Sequence, residues 1–283
     1  MTTADRRAVD RLALAVDRLV AATVRLGDEE MGRPWAWGVY DEEGLRFALL
    51  MTHHELRDLA VRLESERARS GRAPSEAQRI LAQYHEAHRD LTGALAGLGD
   101  PELDAVPAEG EWPVREALAH MLSADLGFRA VIRLARAAHA RSVEPTEPSD
   151  EEWAAAVGDR SGLADGDVDA VRAGLARVHD AIVAELADIP DPELERSALF
   201  WDGAMPIRFR LHRFEEHYRQ HTVQVDKTLL AIGRPPTEAE RLARLVHGAL
   251  ARVESAWLAG VADGAVEDAA TVIEGRAADL GAR

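Results

Sequence analysis

The sequence predicts an all-α fold, and three observations point there. Apolar residues recur at three- and four-residue spacing along almost the whole chain. Clusters of β-branched residues in strict alternation are nearly absent. Glycine and proline punctuate the ends of the periodic stretches. About eight helices are expected, with ends fixed by that punctuation.

The first helix covers about 4–26, with Leu12, Val16, Leu19, Val20 and Val24 on one face and Gly27 as its stop. A loop with Gly32, Pro34 and Gly38 follows, where Trp35, Trp37 and Tyr40 are read as a plug at the end of a helix pair. The second helix runs over about 42–71 and the third, opened by Ser75 and Glu76, to about 98, before Gly99-Asp100-Pro101. The fourth opens at Trp112-Pro113, since a proline's missing N–H costs nothing in a first helical turn, and runs to about 140. Arg141–Asp150 reads as a crossover, with a short helix near Glu151–Val157. Further helices are expected over about 167–188 and 207–232, with a loop between them through Met205-Pro206. After Gly233 and Pro235-Pro236, two more cover about 237–259 and 264–280.

One segment repeats. Gly99-Asp100-Pro101-Glu102-Leu103-Asp104 precedes one loop and helix, and Pro190-Asp191-Pro192-Glu193-Leu194-Glu195 precedes another. A fainter copy starts at Gly27-Asp28-Glu29-Glu30-Met31. The repeating unit is a helical hairpin. Two hairpins make a four-helix bundle over residues 76–232, flanked by an N-terminal hairpin extension, 1–75, and a C-terminal helical extension, 233–283. Both extensions are expected to pack around the bundle. In the overlay of copies, Met51 falls where the central bundle has His120.

Composition narrows the function. In 283 residues, 34 Lys and Arg stand against 50 Asp and Glu, a net charge of −16. Such a surface repels phosphate backbones and anionic lipid, so neither nucleic acid nor membrane is an expected partner. No run of about 18 uncharged apolar residues occurs, and the N-terminal MTTADRRAVD has no apolar h-region; a cytoplasmic location is expected. The chain has no cysteine, which excludes disulfides, thiolate metal sites and a cysteine nucleophile. Lys227 is the only lysine. Any metal must be held by nitrogen and oxygen.

Eleven histidines make imidazole the informative group. His217 and His221 stand at i and i+4, so on a helix they project from one face and can share an ion. Scattered histidines give about 0.4 such pairs by chance, so the pair alone is weak. It lacks the glutamate that a metalloprotease helix carries after its first histidine. His120, in an apolar stretch of the fourth helix, is the candidate third ligand, because facing helices of a bundle bring such residues together. Three neutral imidazoles leave coordination positions open, as catalytic sites do, and suit zinc, nickel, iron or copper. Asp125 and Gln224 are candidates to support the ligands or contact substrate. Arg208 and Arg210 are candidates to meet an anionic substrate group, and Trp201 to line the entrance. His53, His54, His85 and His88 are read as surface residues, and His139, His179, His212 and His247 as structural.

Two segments carry a family resemblance: EGEWPVREALAHMLSAD, from Glu109 to Asp125, and LHRFEEHYRQHTVQVDKTL, from Leu211 to Leu229. Together they resemble the second and fourth helices of the DinB-like (DinB/YfiT-like) metalloenzyme family, across about residues 76–232. The resemblance implies a DinB-like four-helix bundle with a long crossover between its second and third helices. It implies metal ligands His120, His217 and His221, and often a homodimer. It also implies chemistry with a low-molecular-weight thiol such as mycothiol or bacillithiol, the metal favouring the thiolate. Family members often carry glutamate where this chain has Asp125, one methylene shorter. The function expected is a metal-dependent, thiol-linked S-transferase or isomerase acting on a small electrophile. A metal-dependent hydrolase and a non-catalytic ligand- or partner-binding bundle are the alternatives.

Overall fold

A computed structural model describes residues 3–35, 43–200, 203–258 and 264–281. Trp37, Tyr40 and Trp201 lie outside the described residues. Among these residues there are eleven α-helices and a single two-stranded sheet. The helices are α1 (Thr3–Thr23), α2 (Asp28–Met31), α3 (Arg46–Arg69), α4 (Glu76–Ala94), α5 (Asp100–Asp104), α6 (Val114–Ala140), α7 (Asp150–Val157), α8 (Val168–Leu186), α9 (Ile207–Ala231), α10 (Glu238–Leu258) and α11 (Gly264–Gly281). None is long and apolar enough to cross a membrane.

The helix ends follow the punctuation. Pro113 sits just outside α6 in extended conformation, so Val114 opens the helix. Gly233 closes α9 at φ +78°, a conformation that glycine alone adopts freely. The 189–206 stretch was expected to be a loop, but it holds a 3₁₀ turn and an antiparallel hairpin. β1 (Ser197–Phe200) pairs with β2 (Gly203–Pro206), Ala198 opposite Met205 and Leu199 opposite Ala204. Four-residue strands are too short to show a period of two.

The chain forms two compact units: residues 1–74, 89–97 and 235–283, and residues 75–88 and 98–234. In the first unit, α1 packs along α11 and α3 along α10. Its core is aliphatic: Leu12, Leu19, Leu49, Leu56, Val246, Leu250 and Ile273 are buried. Trp35 joins this core and donates its indole N–H to Asp279 at 2.9 Å. Two buried charges there are paired, Arg276 with Glu55 at 2.9 Å and Glu254 with Arg89. Gly93 lies so close to Arg244 that a Cβ would come within 2.7 Å of its Cα. In the second unit, α6 packs against α9, α8, α7 and β1.

All three copies of the repeated segment fold as a single turn, as α2, α5 and the 3₁₀ turn Asp191–Glu193. Each buries an apolar residue four positions after its start: Met31, Leu103 and Leu194. In the first two, a glutamate reaches back to the N–H of the starting glycine, Glu30 to Gly27 and Glu102 to Gly99, both at 3.0 Å. Pro190 has no N–H, and Glu193 pairs with Arg136 instead. The aspartate of each copy accepts a backbone N–H at the start of another helix: Asp28 from Glu238, Asp100 from Val168, Asp191 from Glu76. Orphan N–H donors of a helix start thus find a carboxylate acceptor in another hairpin. At the next repeat position, Asp104 binds Arg115 at 2.6 Å and Glu195 binds Arg208 at 2.8 Å. The first copy has Gly32 there, and Arg46 pairs with Glu238.

Candidate metal centre

α6 and α9 bring His120, His217 and His221 together. One nitrogen from each lies within 4.8 Å of the other two. The ring centroids are 5.3 Å apart for His120 and His217, 5.0 Å for His120 and His221, and 4.4 Å for His217 and His221. One turn of α9 separates the last two, and their Nε2 atoms face each other at 3.0 Å. Ligand nitrogens about 2.1 Å from a zinc-sized ion are themselves about 3.0–3.5 Å apart, so this spacing fits a shared cation.

The protonation states fit as well. Burial, with the two other imidazoles and the Arg213 charge, pushes His217 down to about 3. Burial also lowers His221. Both therefore favour the neutral form that can ligate. Gln224 Oε1 lies 2.8 Å from His221 Nδ1. An amide oxygen only accepts, so His221 carries its proton on Nδ1 and turns its Nε2 lone pair toward His217. Gln224 thus orients the His221 ring.

Asp125 is fully buried, but its hydrogen bond goes elsewhere. Tyr84 donates its hydroxyl to Oδ2 at 2.7 Å. The Tyr218 hydroxyl also faces the carboxyl, without the geometry of a regular hydrogen bond. Burial pushes Asp125 well above the ordinary carboxylate range, against the pull of the two hydroxyls. It belongs to a tyrosine–carboxyl pair in the core.

His217 and His221 are buried, whereas His120 is exposed, so the cluster opens toward solvent at His120. Trp112, 40% exposed, places its ring 5.2 Å from that of His120. Phe128 meets His217 edge-on at 5.4 Å. The mouth is therefore aromatic on one side.

Arg208 and Arg210 are engaged in the fold. Arg208 pairs with Glu76 and Glu195, and Arg210 donates to the Gly203 carbonyl at 2.8 Å. The reading of His85 and His88 as surface residues is overturned, since both are buried. His85 Nδ1 lies 3.2 Å from His179 Nε2, and His179 Nδ1 lies 2.9 Å from Asp180. The His88 ring stacks on His179 at 4.2 Å. His179 sits on α8, far from α4 in sequence, so local spacing gave no signal. Arg213 was also missed, although it stands one turn before His217 at the same i, i+4 interval.

A family model for the DinB superfamily matches residues 83–225, half of the chain, with all three histidines inside the match. No curated protein and no solved structure matches the chain. The helical architecture agrees with the match, and so does a three-histidine cluster able to hold an ion. The chain belongs to the DinB superfamily, whose members often bind metal.

Proposed function

We propose that His120, His217 and His221 hold a divalent ion, zinc, nickel or iron, and that the protein is a thiol-dependent S-transferase or isomerase acting on a small electrophile. The observation that carries this reading is the convergence of three imidazoles, two of them held neutral, at a place open to solvent on one side. A divalent ion bound there favours the thiolate form of a thiol, the nucleophilic form.

The chain's own groups divide the remaining work. Gln224 fixes the His221 tautomer. Burial keeps His217 uncharged. Trp112 and Phe128 offer apolar walls to a substrate entering past His120. In a transfer, the thiol releases its proton to solvent, sulfur forms the new bond to carbon, and the leaving group departs with its electron pair. The cosubstrate classes to test are mycothiol and bacillithiol. Hydrolysis finds less support, because the Asp125 carboxyl, which would have to act as its base, bonds to Tyr84 instead.

Metal content by mass spectrometry tests the centre. About one equivalent is expected in the wild type and little in His120→Ala or His217→Ala. Equal content in all three proteins would overturn the site. Thiol consumption by the loaded protein then tests the transfer: no consumption with either thiol overturns that step.

A further inference from the structure

The geometry points to Arg213 as the anchor for a carboxylate on the small molecule that occupies the three-histidine site. This inference rests on the metal-centre reading above and names a different ligand class for it, in place of the two larger thiols: a thiol acid whose sulfur lies a few bonds from its carboxylate.

Three features carry it. Arg213, His217 and His221 form one stripe on α9, each a turn from the next, and a turn rises about 5.4 Å. The guanidinium carbon lies 5.6 Å from the centre of the Phe128 ring, and that ring meets His217 edge-on. Arginine stacked on an aromatic face is held in place with its N–H groups at the rim. The side chain is 34% exposed, so a ligand can reach it.

The ion pair that Arg213 makes is one a ligand can displace. Glu216 accepts from Nη1 at 2.8 Å, but it sits three residues away on the same helix and is 62% exposed. Exposed pairs of this kind contribute little. Arg208, by contrast, is held between two carboxylates. Arginine presents a planar fork that matches a carboxylate at two points, so a substrate acid gains both charge and orientation.

The test uses cobalt-loaded protein and two thiols of equal size, 3-mercaptopropionate and its neutral amide, with binding read from the cobalt–sulfur absorption band. Wild type should bind the acid about tenfold more tightly than the amide. In Arg213→Met the preference should fall to about threefold or less, with amide binding unchanged, which also shows that the variant is folded. Arg213→Lys should restore part of the preference, since it keeps the charge and loses the fork. The same preference in wild type and Arg213→Met overturns the proposal and leaves the metal centre standing. Failure of the wild type to take up cobalt overturns both.

Discussion

The two compact units use the same device to begin and different chemistry to finish. Each draws on a one-turn segment that buries an apolar residue and lends an aspartate to another helix start. Their interiors then diverge. The unit of α1, α3, α10 and α11 is filled mainly with aliphatic side chains, and its buried Arg276 and Glu254 are matched in ion pairs with Glu55 and Arg89. In the unit of α6, α8 and α9, imidazoles face imidazoles and a carboxyl faces tyrosine hydroxyls. At the overlaid position one has Met51 and the other His120. Buried polar groups without full partners carry a free-energy cost that an aliphatic core avoids. The difference teaches that one helical plan can serve stability or chemistry, depending on what its core positions hold.

Two substitutions sharpen the contrast. Leu56→Ala, in the aliphatic unit, should cost about 2–5 kcal/mol in urea denaturation, because it opens a cavity among packed neighbours. Tyr84→Phe, in the polar unit, removes few atoms but strips Asp125 of its donor, at about 1–3 kcal/mol. An equal or larger loss for Tyr84→Phe would mean that polar pairing holds its unit together as much as packing holds the other.

The pH dependence of metal-free protein separates the polar groups. Asp125 is raised in the folded state, so above the ordinary carboxylate value the unfolded chain loses a proton that the folded chain keeps. Stability from this group therefore falls as pH rises toward the raised value. His217 is lowered to about 3, so the unfolded chain gains a proton first as pH falls. Stability from His217 is lost on acidification from its ordinary value down to about 3. In urea titrations, Asp125→Asn should gain stability relative to wild type as pH rises above about 4. A constant difference across pH would rule out a raised Asp125.

The smallest effects are expected at the shared device. Asp28→Ala, Asp100→Ala and Asp191→Ala should each cost about 1 kcal/mol, read from thermal melts. A much larger loss at one of the three would show that the copies are not equivalent.

Much of this was legible in the sequence, for physical reasons. The long helices and their ends follow from apolar periodicity and from Pro113 and Gly233. The histidine pair on α9 follows from i, i+4 spacing, and its partner on α6 from an apolar setting on a facing helix, strengthened by the family resemblance. The rest depended on contacts that spacing cannot encode. His85 and His88 looked like the polar face of an amphipathic helix until His179, from α8, covered them. Arg213 carried no signal in the sequence beyond its spacing from His217, and only the fold lays it over Phe128. Asp125 had the right position to serve the cluster, but Tyr84 from α4 claims it.

The aspartate caps have a consequence for how the chain could be divided. The crossover between α6 and α7 lies between donor and acceptor in all three: Asp28 and Asp100 lie before it and Asp191 after it, and each serves a helix on the other side. The three imidazoles are split in the same way, His120 before and His217 and His221 after. A protein expressed as two fragments cut in that crossover would have frayed helix starts in both halves and a complete set of imidazoles in neither. Reassembly of the halves would restore caps and imidazoles together, so with the proposed metal centre, metal uptake would report fragment complementation.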